Sequence, residues 1–303
     1  MKKSLLLIIG FLILLATEIL RVYFIMPFPG SQKADTIQSA FFLHNYIWWF
    51  RILGLLLFVP PMIYIFRNSR WWRKILLAIF VLLYATVFYA FNFKFLADKM
   101  FYQPKNKILA TVATNKVDST KLVIGVALNG QAKAYPVEII SYHHQVQDSI
   151  SGEPVMVTYC SVCRTGRVFS PFVNGKFEKF RLVGMDHFNA MFEDATTKSW
   201  WRQATGKAVA GKLKGTALKE IESAQMSLGA WMHKHPNTMI LQPDPVFAMQ
   251  YKGLEGFDEG TIKSGLEKRD SASWQFKSWV VGIEIAGHAK AYDWNELVKQ
   301  RVI

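Results

Sequence analysis

"SYHHQVQDSISGEPVMVTYCSVCRTG" (residues 141–166) decides the fold of the polar part of this chain, because it encodes a hairpin with reactive side chains at both ends. Residues 145–150 and 155–159 have the composition of β-strands, and "SGEP" between them supplies turn-forming residues. With the turn centred near 152–153, facing positions sum to roughly 305. This register predicts that a histidine at 143 or 144 lies opposite the only two cysteines, Cys160 and Cys163.

A second copy of the segment that precedes this hairpin lies near the end of the chain. "VIGVALNGQAKAYPVEII" (123–140) returns as "VVGIEIAGHAKAYDWNEL" (280–297), with 7 of 18 positions identical. In the first copy, β-branched residues are followed by Asn129-Gly130, which is a strong hairpin signal. We therefore predict a duplicated hairpin.

Three apolar runs in the first 95 residues are long enough to cross a bilayer, which takes about 20 residues. They cover residues 5–24, 42–66 and 75–91. Residues 1–95 carry 10 Lys and Arg against 2 Asp and Glu, whereas residues 96–303 carry 26 against 20. Because the densest positive charge lies between apolar runs, we expect lipid as a partner and no nucleic acid.

The positive loops also predict the orientation in the membrane. Lys2 and Lys3 precede the first run, and "RNSRWWRK" (67–74) follows the second with four positive charges. The positive-inside rule places both segments in the cytoplasm, so that three crossings lead to a domain on the periplasmic or extracellular face. No small-residue cleavage pattern follows the first run, and we predict that it is retained.

Charged residues inside the spans have two interpretations. They can mark a functional path across the membrane. The simpler interpretation, which we favour, is an intrahelical pair of Glu18 with Arg21, and snorkelling of charged side chains such as that of Arg51.

The chain is thus predicted to be an α+β protein. Residues 1–95 form a membrane anchor of three transmembrane helices, residues 96–120 a linker, and residues 121–303 a β-rich domain on the outer side of the cytoplasmic membrane.

Three kinds of site fit the cysteines and a nearby imidazole. In the first, which we favour, Cys160, Cys163 and His143 bind copper or, second, zinc, with His187 as the fourth ligand. In the second, the cysteines are a redox dithiol, with Cys160 as the more exposed, attacking thiol. In the third, they form a structural disulfide in a non-catalytic binding module. Whether the protein is an enzyme stays open at this stage.

A binding edge is predicted beside the cysteines. "GMDHFNAMFED" (184–194) places carboxylates next to a histidine, and "SWWRQ" (199–203) places tryptophans next to an arginine. Such residues support acid–base chemistry or ligand contacts, although a solvated strand over buried tryptophans is the alternative. The predicted edge consists of Tyr159, Arg164, Asp186, Asn189, Trp200, Trp201 and Arg202.

Three separated stretches, "AYPVEIISYHHQVQDSISGEPVMVTYCSVCRTG", "MDHFNAMFEDATTKSWWRQATGKAVAGKLKG" and "HPNTMILQPD", resemble the bacterial domain-of-unknown-function family numbered 3179. The resemblance covers about residues 115–300 and implies a fold and a site, but no reaction. By the family pattern, His144 replaces a glutamate, and Arg164 replaces a frequent glycine, which weakens the analogy with a metal knuckle. Relatives run past the second repeat, so this chain is expected to be short at its carboxyl end. The residues that match directly are His143, Tyr159, Cys160 and Cys163.

Motifs of several function classes are absent from the sequence. There is no G-x-S-x-G elbow, dinucleotide fingerprint, P-loop or H-E-x-x-H. Arg164 follows Cys163, so there is no C-x-x-C-H haem attachment. We therefore expect copper or zinc as the cofactor and neither a nucleotide nor c-type haem. Besides lipid, the expected partner is another envelope protein or a metal donor.

Overall fold

The computed structural model describes residues 2–254 and 280–300. Met1–Glu255 form one compact unit and Gly256–Ile303 a second. The helices are α1 (Lys2–Tyr23), α2 (Ile37–Asn68), α3 (Trp71–Phe93), α4 (Ala97–Met100), α5 (Val137–His143), α6 (Leu228–Lys234), α7 (Ala248–Lys252) and α8 (Trp294–Gln300). The strands are β1 (Leu109–Ala110), β2 (Leu122–Leu128), β3 (Gln131–Pro136), β4 (Gln145–Ile150), β5 (Glu153–Cys160), β6 (Thr165–Phe169), β7 (Phe172–Val173), β8 (Lys176–Phe177), β9 (Phe180–Asp186), β10 (Asn189–Asp194), β11 (Trp200–Arg202), β12 (Ala208–Ala210), β13 (Ala224–Ser227), β14 (Met239–Leu241), β15 (Val280–Ile285) and β16 (His288–Asp293).

The prediction of an α+β fold with a three-helix membrane anchor is confirmed. Helices α1, α2 and α3 are each long and apolar enough to span a membrane. Helices α1 and α2 approach closely at Gly10, where an added Cβ would lie 2.6 Å from the backbone nitrogen of Phe58. Small residues permit this close packing of membrane helices.

A buried polar cluster joins the three anchor helices. Glu18, which is fully buried, accepts hydrogen bonds from Arg51 Nε (2.7 Å) and Nη2 (2.8 Å) and from Asn92 Nδ2 (2.8 Å). Arg21, on the same helix as Glu18, donates to Asn92 Oδ1 (2.8 Å), and its own distance to Glu18 is 3.9 Å. The main partner of Glu18 is therefore Arg51 of α2, not Arg21. The predicted intrahelical pair of Glu18 with Arg21 is present as the longer contact. The prediction that Arg51 snorkels was wrong, because α1 and α2 lie close enough for a direct ion pair of Arg51 with Glu18.

Four sheets build the domain in the first unit. A five-stranded sheet has the order β1-β14-β3-β2-β13, a four-stranded sheet the order β12-β11-β10-β9, and a three-stranded sheet the order β4-β5-β6, and β7 pairs with β8. Among the strands of the described residues in this unit, β14 and β3 pair in parallel and the other pairs are antiparallel. Strand β1 lies within the segment predicted as a linker, and its Leu109 pairs with Leu241. The ordered sheet thus begins before residue 121.

The prediction of a duplicated hairpin is confirmed, and the two hairpins pair their strands in the same register. Val126 of β2 faces Lys133 of β3, and Ile283 of β15, in the second unit, faces Lys290 of β16. Both pairs are separated by the offset of 157 residues that relates the two sequence copies (283 − 126 = 290 − 133). A short helix, α5 or α8, follows each hairpin.

The four-stranded sheet packs directly on the anchor. Phe41 of α2 makes an edge-to-face contact with Trp200 of β11, with ring centroids 5.0 Å apart. The amide of Met185 in β9 donates to the carbonyl of Ile25, which follows α1 (2.7 Å). A Cβ on Gly184 would lie 2.2 Å from this carbonyl oxygen, so only glycine permits the approach. The anchor and the domain consequently share one hydrophobic core, which extends as far as Cys160.

Candidate functional site

The hairpin of β4 and β5 has the predicted turn but a different register at its open end. Gln145 faces Thr158, so facing positions sum to 303. Before Gln145 a single backbone bond remains, from the amide of Tyr159 to the carbonyl of His144 (2.9 Å). The ladder goes no further, because His143 ends helix α5 and His144 caps it in the left-handed conformation (φ 59°). The prediction that this hairpin places an imidazole opposite the cysteines was therefore wrong.

The two histidines instead make hydrogen bonds within the protein interior. His143 Nδ1 donates to the carbonyl of Tyr102, so its Nε2 accepts from the hydroxyl of Tyr251 (2.6 Å). His144 Nδ1 donates to the carbonyl of Tyr159 (3.1 Å). Burial lowers the pKa of His143, and it lowers the pKa of His144 to about 4. Both rings are therefore neutral at pH 7, and their hydrogen bonds are made with tyrosines, not with the cysteines.

The predicted metal ligands do not form a metal-binding group. Within residues 2–254 and 280–300, no three His, Cys, Asp or Glu side chains are arranged so that they could hold a metal ion. The ring nitrogens of His143 have the partners described above, and His187 Nδ1 lies 2.6 Å from Asp186 Oδ1. The predicted set of Cys160, Cys163, His143 and His187 is therefore not brought together as a four-ligand site in the described residues.

Cys160 and Cys163 form an asymmetric pair of free thiols. Cys160 is the last residue of β5 and is fully buried, whereas Cys163 lies in the turn before β6 and is exposed. The backbone amide of Cys163 donates to the sulfur of Cys160 (3.3 Å). The predicted roles are thus reversed: Cys163, and not Cys160, is the thiol that an external molecule can reach.

Hydrogen bonds make Cys163 the more acidic thiol. The thiol of Cys160 donates to the sulfur of Cys163, and this bond lowers the pKa of Cys163 to about 7 in spite of partial burial. Asn189 Nδ2 also donates to this sulfur (3.3 Å), and its amide is oriented by the backbone amide of Ala204, which donates to Asn189 Oδ1 (2.9 Å). The same donation, together with burial, raises the pKa of Cys160. At pH 7, Cys163 therefore carries more thiolate than an ordinary cysteine, while Cys160 stays protonated.

The turn between β9 and β10 forms the opposite wall of the site. His187 and Phe188 both have positive φ angles (50° and 63°), which non-glycine residues rarely adopt. This conformation directs the carbonyl oxygen of Phe188 at both sulfurs, 3.5 Å from Cys160 and 3.6 Å from Cys163. The side-chain pattern of the sequence gives no sign of a backbone acceptor, so the role of the Phe188 carbonyl was not predicted.

The tryptophans of the predicted binding edge lie in the core. Trp200 is fully buried and donates through Nε1 to Glu193 (2.9 Å), and Trp201 donates in the same way to Asp194 (2.9 Å). Buried carboxylates thus accept from both indoles. Neither indole is exposed to solvent. The tryptophans thus follow the alternative given above, in which they are buried core residues and not part of a binding edge.

Two polar members of that edge, Asn189 and Arg164, lie next to Cys163. Asn189 contacts Cys163, and Asp186 is buried under an ion pair with Arg202 and the hydrogen bond from His187. Arg164 directly follows Cys163 in a left-handed conformation (φ 52°), whereas Tyr159 is buried. The structure thus places Asn189 and Arg164 of the predicted edge beside Cys163, and joins Asp186 to Arg202.

Comparison with known proteins assigns the chain to a family. Residues 104–303 match the family model described as "Protein of unknown function (DUF3179)". Neither the curated proteins nor the solved structures contain a match. The matched segment is 200 residues long (303 − 104 + 1), about two thirds of the chain, and it contains the hairpin, both cysteines and the β9–β10 turn. The chain therefore belongs to the DUF3179 family.

Proposed function

We propose that this protein is a membrane-anchored thiol–disulfide exchange protein that works on the outer side of the cytoplasmic membrane. The observation that carries the proposal is the asymmetry of the C-x-x-C pair. One thiol is exposed and has a pKa lowered to about 7, and the other is buried with a raised pKa. A nucleophilic thiol with a pKa near the ambient pH and a protected partner is what exchange chemistry requires. The orientation rests on the positive charges at Lys2, Lys3 and residues 67–74.

The exchange proceeds in two balanced steps. The Cys163 thiolate attacks one sulfur of a substrate disulfide, so that a mixed disulfide forms and the first substrate thiolate leaves. Cys160 then loses its proton to that leaving thiolate and attacks the sulfur of Cys163, which releases the second substrate thiolate. The substrate disulfide gains two electrons and the protein dithiol loses them. A second dithiol, in the reverse reaction, restores the starting state.

Copper(I) binding by the same two sulfurs is the second candidate function. Zinc requires about four ligands, and no further His, Cys, Asp or Glu of the described residues completes such a set. Copper(I) is a soft ion that two thiolates alone can bind. The sulfurs of Cys160 and Cys163 both lie within 3.6 Å of the carbonyl oxygen of Phe188, and are therefore close to each other. In this role the protein would carry copper between an envelope donor and an acceptor.

A titration in glutathione buffers tests the proposed function. The full chain in detergent is equilibrated with mixtures of reduced and oxidised glutathione, quenched with acid and alkylated, and its two thiols are counted by mass spectrometry. We expect a reversible two-electron transition between the dithiol and the disulfide. Thiols that stay reduced at every ratio, or a disulfide that resists reduction, would contradict exchange. Parallel addition of copper(I) measures the second candidate, for which one bound ion per dithiol is expected.

A further inference from the structure

Gln32 connects the membrane anchor to the wall of the thiol site. It lies in the 3-10 helix Ser31–Lys33 between α1 and α2 and is 4% exposed. Its Oε1 accepts a hydrogen bond from the backbone amide of Phe188 (3.2 Å), and its Nε2 donates to the carbonyl of Phe24 (3.2 Å). Both ends of the side-chain amide are therefore engaged, one on the anchor and one on the β9–β10 turn.

The turn that Gln32 holds is a strained one. His187 and Phe188 occupy the left-handed region in succession, where the Cβ of a non-glycine residue crowds the following carbonyl oxygen. Such a conformation persists only when surrounding contacts fix it. Two contacts with the anchor do so: the bond from Phe188 to Gln32, and the bond from Met185 to the carbonyl of Ile25.

The carbonyl of Phe188 interacts differently with the two redox states. In the dithiol, the thiol of Cys160 donates to the sulfur of Cys163, and the S–H of a protonated Cys163 can donate to this oxygen, which lies 3.6 Å from its sulfur. A disulfide has no S–H group, so the same oxygen loses this donor. A carbonyl held in this position therefore stabilises the dithiol relative to the disulfide.

We infer, given the proposed exchange function, that the loop between α1 and α2 is part of the thiol site and that Gln32 is a positioning residue that sets the dithiol–disulfide balance. The anchor thus contributes to the thiol site, besides holding the domain at the membrane. Without Gln32, the amide of Phe188 loses its acceptor, the strained turn relaxes, and its carbonyl no longer faces the sulfurs.

The test compares two glutamines of the anchor in the full chain in detergent. Gln32→Met keeps the side-chain volume but removes the acceptor for Phe188. Gln38→Met is the matched control, because Gln38 Nε2 also joins the anchor to the domain, through the carbonyl of Val209 (2.7 Å) on β12. In glutathione buffers, Gln32→Met is expected to raise the equilibrium constant for disulfide formation roughly 3- to 10-fold. Tenfold corresponds to a midpoint about 30 mV more negative. Gln38→Met is expected to leave the constant unchanged.

Thermal unfolding of the reduced proteins separates this effect from simple destabilisation. If both variants lose stability but only Gln32→Met moves the redox equilibrium, the inference is supported. Equal constants for the wild type and Gln32→Met would overturn it, while the proposed exchange function would stand. If Gln32→Met does not fold, Gln32→Asn, whose amide is one methylene shorter, is expected to shift the equilibrium in the same direction, and an unchanged constant would overturn the inference. A wild type without a reversible transition would overturn the exchange function and this inference with it.

Discussion

Cys163→Ser is expected to lose reaction with an aromatic disulfide by roughly 1,000-fold or more, because a hydroxyl is far less nucleophilic than a thiolate near pH 7. The wild type should release two equivalents of coloured thiolate per chain, one at each step, and end as the intramolecular disulfide. Cys160→Ser should release one equivalent and retain the other half of the reagent on Cys163. Its replacement hydroxyl can still donate to the Cys163 sulfur, so the first step should stay within a few fold of the wild-type rate.

Mass spectrometry of the intact chain checks these outcomes. The mixed disulfide is expected only in Cys160→Ser, and peptide mapping should place it on Cys163. Equal reactivity of the two single variants would contradict the assignment of roles, because it would mean that the burial of Cys160 does not protect it. A wild type that releases one equivalent only would contradict the second step.

Glu18→Leu is expected to destabilise the anchor by about 3–5 kcal/mol, the usual cost of removing one partner of a buried ion pair. Glu18 is the carboxylate that accepts from Arg51 in the cluster that joins the three helices, and its loss leaves the buried Arg51 without that partner. Because the domain packs on the anchor, we also expect the β9–β10 turn to lose order. Unfolding of the detergent-solubilised chain with increasing sodium dodecyl sulfate measures the change.

Glu220→Leu is the matched control for this experiment. Glu220 pairs with Arg167 at 2.6 Å, but both side chains are more than 40% exposed (47% and 41%). Surface pairs contribute about 0–1 kcal/mol, so this variant should unfold near the wild type. A loss from Glu18→Leu as small as that from Glu220→Leu would show that the intramembrane cluster does not hold the helices together.

Much of the fold was accessible from the sequence because its signals are local. Apolar length identified the three anchor helices, and the Asn129-Gly130 turn with its repeat identified two hairpins of identical internal register. The partner of Glu18 was not accessible, because helical spacing reports only neighbours on the same helix and Arg51 lies on another one.

The site was predicted in part, for a related reason. The cysteines could be identified from their spacing, but which one is exposed depends on the point at which β5 ends. The predicted position of the histidines failed at one residue, His144. Its left-handed conformation ends the ladder of β4 and β5, and His143 makes a hydrogen bond with Tyr251 instead of facing the cysteines. Phe188 contributes a backbone oxygen and Gln32 comes from a distant segment, and neither contact has a signature in a single sequence.

Cysteine-resolved alkylation as a function of pH tests the central claim most directly. The reduced full chain is treated briefly with iodoacetamide between pH 5 and pH 10, and each cysteine is quantified by peptide mass spectrometry. Because only the thiolate reacts, and its pKa is lowered to about 7, labelling of Cys163 should rise with pH, reach half of its maximum near pH 7 and then level off, with Cys160 protected throughout. Faster labelling of Cys160, or a midpoint for Cys163 at the ordinary thiol value of about 8.5 or above, would contradict the account.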